Sequence, residues 1–541
     1  MGLFPTRLNL AHAPTLFLII GYPVYWIELY FFQQQGGGTT VLAWVLLITV
    51  LIVAGIKQKI DIQFIGKCWG ELTGFNKSLF SVGAIAVVIM LAQGFYAATF
   101  PIHLTQEVDA LNYHVTLPRQ HLILHSFKHL PWSSMDLFLL PLDFALAPFW
   151  LSTALPNKLP QFFFLLGLVA VVMRLTYRLS NQSKTAAFLS IFVVLSFHSV
   201  GIQIGLAMMD IVVAYLFFAA IDSLLRGQYL LALIEASFYC WSKPLIPLQT
   251  LVIGVTLILL FYFFRSRGIK VISLGFSDQA ISNTNVNIRQ HWRRIIIYGG
   301  LLSMFIAGPF LIKSLYYAQT PVFPLGVGTV VVPGFNDAIN QHRLDSFRQS
   351  ATLCLSLKDG YGMGQTVEAF LKHLWLIAVP QWGVNNCYDY PVGLIYLLLL
   401  VPFIYFLVVT VKKGFYPIIP LMVVLFWGTW WFGSQQTRFL LIPLLLMAIV
   451  VIAAIKKPSK VFISCTIIAL MLTTVSVLRA HQPDWGKLPL EVLRPKDKEL
   501  LKLNQEQGKN QRDLDFIDAA YATFPIRIIK QDAYHVLDTS L

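Results

Sequence analysis

An all-α integral membrane protein with about thirteen transmembrane helices is the fold that the sequence predicts by the hydropathy and loop-charge rules. Three observations lead there. The chain is 57% hydrophobic and only 12% charged, outside the range of ordinary soluble domains. Apolar runs at 84–98, 251–264, 394–411 and 440–454 approach the ~20 residues needed to cross ~30 Å of hydrocarbon. These runs lack strict alternation, so helices rather than a closed barrel satisfy the backbone in lipid. The lysines and arginines, finally, gather in the short connections between runs.

The first run, 14–32, is too long for a signal peptide and lacks its basic leader and small-residue cleavage site. It reads as a retained helix over 12–33. Further spans are expected at 39–56, 78–99, 159–177, 184–200, 208–225, 229–245, 247–264, 295–315, 392–411, 415–432, 439–455 and 461–478. Between them lie Lys57, Lys59, Lys67 and Lys77; Arg174, Arg178 and Lys184; Arg226; the basic loop 265–294; Lys412 and Lys413; and Lys456, Lys457 and Lys460. The positive-inside bias puts these connections in the cytoplasm, with the N-terminus inside and the C-terminus outside, in what reads as a bacterial inner membrane.

That arrangement divides the chain into a two-helix extension with a cytoplasmic loop (1–77), a membrane domain (78–478) and a polar extracytoplasmic tail (479–541). Two large outer loops are expected, 100–158 and 316–391. The stretch 137–154 looks long enough to cross, but a crossing would carry Arg174 and Arg178 outside. It is therefore expected to lie along the outer membrane surface, with Asp136 and Asp143 on its wet side. His121, His125 and His129 are expected to solvate the polar face of an interfacial helix. Trp427, Trp430 and Trp431 are expected to form an interfacial belt.

The net charge of +14 does not indicate nucleic acid, because basic residues dispersed over membrane loops form no contiguous phosphate-tracking footprint. Five cysteines without a CxxC spacing exclude a disulfide scaffold and a zinc site of that kind. Cys354 and Cys387 share the second outer loop, where an oxidising compartment permits a bridge; the alternative is two unrelated thiols. The turn at 359–364 lacks the Lys-Ser/Thr and following helix of a phosphate loop.

Chemistry points to the segment 106–114. In a helix entered near Thr105, Asp109 and Tyr113 stand one turn apart on one face, with His114 beside them. A carboxylate partly desolvated yet hydrogen-bonded at a membrane edge gains basicity for proton abstraction. The plain alternative is a capping or topology-fixing aspartate.

The pattern from Asp109 through Asn112, Tyr113 and His114 to Pro118 and Arg119 resembles the first outer loop of GT-C glycosyltransferases, the polytopic enzymes that use polyprenyl-phosphate-linked sugars. The resemblance is to the bacterial branch that includes protein O-mannosyltransferases and aminoarabinose transferases. This resemblance implies that Asp109 is the catalytic base. It extends to Asp210 as a second acidic position, Lys243 in Trp-Ser-Lys-Pro as a lysine at a helix end, Lys313 within 309–324, and Arg438 in Gln-Thr-Arg-Phe. The family's arginine stands as Lys313 here, so a bidentate phosphate grip becomes a point charge, whereas Arg438 keeps the planar fork.

The resemblance implies an inverting transfer of sugar from a polyprenyl-phosphate donor to an extracytoplasmic acceptor, whether glycan, lipid or protein. Tyr113, His114, Asp210, Lys243, Lys313 and Arg438 would bind substrate. Asp210 has three readings beside helix capping: orienting the base, touching the acceptor, or holding a divalent cation with Asp109, since hard cations take oxygen ligands. The competing classes are a polytopic lipid or solute transporter, which should bury ionisable groups near the midplane, and a lipid-linked glycan polymerase or ligase.

Overall fold

The computed structural model of the chain describes residues 10–31, 37–56, 74–99, 113–130, 134–150, 158–266, 270–272, 288–321, 365–378, 388, 391–412, 415–433, 435–455 and 458–480. Asp109, Cys354 and Cys387, the tail 479–541 beyond Ala480, part of the first outer loop and most of the second lie outside these residues.

Helices make up nearly all of what is described. They are α1 (Thr15–Phe31), α2 (Gly37–Ile56), α3 (Gly74–Thr99), α4 (Thr116–Ile123), α5 (Pro141–Trp150), α6 (Leu159–Leu179), α7 (Lys184–Ser196), α8 (His198–Gly201) and α9 (Asp210–Leu225). Then follow α10 (Tyr229–Cys240), α11 (Ile246–Ser266), α12 (Ile288–Ala318), α13 (Val367–Leu376), α14 (Ile395–Lys412), α15 (Ile418–Phe432), α16 (Leu441–Ala454) and α17 (Lys460–Ala480). Two three-residue strands, Lys270–Ile272 and Phe415–Pro417, pair in parallel. A helix overlaps each expected span, and among the described residues seven helices are long and apolar enough to cross a membrane: those within α3, α6, α11, α12, α14, the 437–454 segment and α17.

The core is built around α16, whose residues 441–453 are all buried and which packs on α6, α7, α9, α14 and α15. A helix apolar on every side must be surrounded by other helices, and this one is. The outer helices instead leave large apolar side chains uncovered: Leu251, Ile258 and Leu259 of α11, and Ile296, Leu301 and Met304 of α12. So much exposed apolar surface suits contact with lipid.

The stretch expected on the outer membrane surface is placed otherwise. All ten residues of α5 are buried, and α5 packs closely against α1. A Cβ at Gly21 would stand 1.9 Å from the Ala145 carbonyl oxygen, so only glycine lets the two backbones approach this far. Neither Asp136 nor Asp143 is wet, and Asp143 is only 1% exposed. An aspartate in an apolar run needs water only where nothing inside compensates it, and here residues distant in sequence do so.

Two smaller expectations change for the same reason. His121 is fully buried and His129 pairs with Asp136, so only His125 of the three is exposed. Trp430 and Trp431 are buried around His373 rather than arrayed as a belt.

Candidate functional site

The turn at 226–228 reverses the chain so that α10 runs back along α9. The residue just past the end of α10 thus returns to the start of α9. There the Lys243 ammonium donates to the Asp210 carboxylate. Asp210 lies in the first turn of its helix, where the partial positive charge of the N-terminus also favours a carboxylate.

A third segment closes on the pair. The short 3-10 turn Thr437–Leu440 is held by Thr437 Oγ1, which donates to the Tyr388 carbonyl at 2.5 Å, and by Trp430 Nε1, which donates to the Gln436 carbonyl at 2.7 Å. It sets the Phe439 ring 4.3 Å from Lys243 Nζ and 5.5 Å from the Arg438 guanidinium carbon. Both cations therefore lie over the same aromatic ring. Arg438 Nε donates to Gln436 Oε1 at 2.9 Å, which fixes the fork.

From the other side come α5 and the residues before α4. His114 Nδ1 lies 2.7 Å from Asp143 Oδ1, and the Tyr113 ring is 4.1 Å from the His114 ring. Burial raises the Asp143 carboxyl above its ordinary value, and the nearby His114 and Lys243 offset part of that rise. Lys243 thus links the two halves, bonded to Asp210 and electrostatically felt by Asp143.

Lys313 sits in a separate, adjoining cluster. Its ammonium donates to Asp136 Oδ1 at 2.6 Å and lies over the Phe127 ring at 4.3 Å. Asp136 Oδ2 accepts from the Leu130 backbone N–H at 2.7 Å and faces His129 Nδ1 at 3.1 Å. Burial alone would raise the Asp136 carboxyl, but Lys313 and the two histidines outweigh it and hold it well below the usual carboxylate range. His121 Nδ1 faces the Ser126 carbonyl at 2.7 Å, so it carries a proton. Its Nε2 lies 2.6 Å from Asp136 and 2.9 Å from Lys313. That nitrogen serves one partner at a time, donating to the carboxylate as imidazolium or accepting from the ammonium when neutral.

Among the described residues the structure therefore brings Tyr113, His114, Asp210, Lys243 and Arg438 together and sets Lys313 beside them, committed to Asp136. Asp143 and Phe439 join the site without having been expected there. Asp143 was visible as a carboxylate inside the apolar run 137–150, where a charge needs a functional or structural reason. Asp210 already has its charge balanced by Lys243, which does not suit a divalent ion. No group of three His, Cys, Asp or Glu side chains able to hold a metal occurs among the described residues.

No protein-family model, curated protein or solved structure matches the chain.

Proposed function

We propose that this is a GT-C-type membrane glycosyltransferase with its thirteen helices crossing the bilayer, moving a sugar from a polyprenyl-phosphate carrier to an extracytoplasmic acceptor with inversion. The observation that carries the reading is the meeting of residues from four separated stretches, at 113–114, 210, 243 and 438. Each stretch resembles a family element on sequence grounds alone.

In this reading Asp109 takes the proton from the acceptor hydroxyl. The freed oxygen attacks the anomeric carbon, and the bond from that carbon to the lipid phosphate oxygen breaks. The phosphate leaves as an anion beside Arg438, whose fixed positive charge stabilises it as it develops, and Lys243, balanced by Asp210, adds N–H donors. Asp210 keeps Lys243 in place, and the His114–Asp143 pair offers polar contact to acceptor or sugar. Phe439 holds both side chains by its ring without adding a charge.

The experiment is sugar transfer from a polyprenyl-phosphate-linked donor pool by the purified chain, with the copurified lipids identified by mass spectrometry. Asp109→Asn is expected to lower transfer by roughly 10²–10⁴-fold, the range of general-base catalysis. Full transfer by an inserted, monodisperse Asp109→Asn protein removes the base. Absence of any polyprenyl phosphate or its glycoside among the bound lipids counts against the donor class.

A further inference from the structure

A second charged cluster lies at the other end of the same helices. Asp210 and Asp222 are twelve residues apart on α9, about 18 Å at 1.5 Å per residue. Asp222 Oδ2 accepts from His12 Nε2 at 2.9 Å and from Arg174 at 3.1 Å, with Arg226 at 4.0 Å. Glu235 Oε1 accepts from His12 Nδ1 at 2.8 Å and from Thr15 Oγ1 at 2.9 Å, while its Oε2 accepts from Ser223 at 2.7 Å. Each nitrogen of His12 thus faces a carboxylate, and both carboxylates are fully buried.

The cations outnumber these partners. Arg174 and Arg178 stand one turn apart on α6, and Arg226 ends α9; all three are near enough to act on one another electrostatically. Glu235 is taken up by His12, Thr15 and Ser223, and Asp222 is shared among His12, Arg174 and Arg226 through Oδ2, its Oδ1 being the one carboxylate oxygen of the pair left without a hydrogen-bond partner. One terminal nitrogen of each arginine, Nη1, is buried without a hydrogen-bond acceptor. Three such nitrogens in one cluster are costly, since a buried charged N–H without an acceptor forfeits its solvation. The side chains are not closed off, for Arg174 remains 21% and Arg226 20% exposed.

We infer that Arg174, Arg178 and Arg226 form a binding site for a phosphate-bearing anion, remote from the candidate active site. Planar guanidiniums recognise phosphate oxygens through paired N–H donors, and three of them from two helices give a cradle rather than a surface charge. Basic pockets between membrane helices are suited to phospholipid head groups, and inorganic phosphate offers the same oxygens. The inference is independent of the glycosyl-transfer reading.

Native mass spectrometry of the full chain in detergent with added dioleoylphosphatidylglycerol tests the lipid source; thermal unfolding with millimolar inorganic phosphate tests the free anion. Arg178→Gln removes a guanidinium with no ion pair to Asp222, and Arg226→Lys retains the charge but not the fork. Lipid adducts on the native chain that fall roughly tenfold or more in Arg178→Gln, and partly in Arg226→Lys, establish a headgroup site. A phosphate-dependent rise in melting temperature lost in Arg178→Gln, without lipid adducts, establishes a free-phosphate site. A native chain that shows neither response, or monodisperse variants that match it in both, overturns the inference.

Discussion

Lys313 and Asp136 are 4% and 3% exposed, so neither can fall back on water if the other is removed. Lys313→Met is expected to cost about 3–5 kcal/mol, as breaking a buried pair does, and the double replacement with Asp136→Leu much less. Thermal unfolding in detergent compares them. The pH response divides by residue. Asp136 is held low, so its contribution is present above the usual carboxylate range and is lost as pH falls through its folded value. Asp143 is held high, so its contribution is full below that range and is lost as pH rises through its folded value. His373, whose Nε2 accepts from Trp427 Nε1 at 3.0 Å, is pushed by burial from 6.5 down to about 4. The unfolded chain then takes up that proton first, so stability drops between pH 6.5 and about 4. His373→Phe should flatten the melting-temperature profile across that window.

At the scale of elements, the α1–α5 contact depends on one missing side chain. Gly21→Val would drive a branched carbon into the Ala145 carbonyl and the Phe149 ring, a clash expected to cost about 1–3 kcal/mol or more and to displace Asp143. A lower melting temperature with lost transfer activity is the expected result, and an unchanged protein removes the close approach. Helix α13 illustrates the other kind of element. Ala369 and His373 are buried, whereas Val367, Leu371 and Trp375 recur every fourth residue as exposed apolar side chains beside the exposed pair Glu368–Lys372. An apolar face next to a charged one suits a helix lying on the bilayer surface. Spin labels at 367 and 371 should then be accessible to oxygen, and labels at 368 and 372 to a polar nickel reagent.

The helices at the expected spans are legible as apolar runs, although among the described residues only seven are long and apolar enough to cross a membrane. Placement of polar residues within them is not legible. Asp143 and His121 looked like the wet faces of interfacial helices, because the partners that compensate them, His114, Lys243 and Lys313, are far away in sequence. Arg174 and Arg226 looked only like topological charges for the same reason. The candidate site is legible in part: Tyr113, His114, Asp210, Lys243 and Arg438 stand out in the sequence, but nothing local indicates that a tight turn and a 3-10 segment bring Lys243 and Arg438 over one aromatic ring.

For the whole molecule, the charge rule sorts residues onto two sides, and the helices carry those two sets at opposite ends. His12, Arg174, Asp222 and Arg226 cluster at one, Asp210, Lys243 and Arg438 at the other. Single cysteines at 181 and 436 should therefore label with an impermeant maleimide from opposite faces of the membrane, the first only after the cytoplasmic side is opened. Labelling from the same face would refute the crossing pattern proposed for α6 through α16. Apolar run length and the position of basic loops, both local and additive along the chain, determined the helical membrane class from sequence. Which buried charge answers which was decided only by the tertiary structure, since a desolvated carboxylate takes its partner from whatever helix packing brings within hydrogen-bond reach.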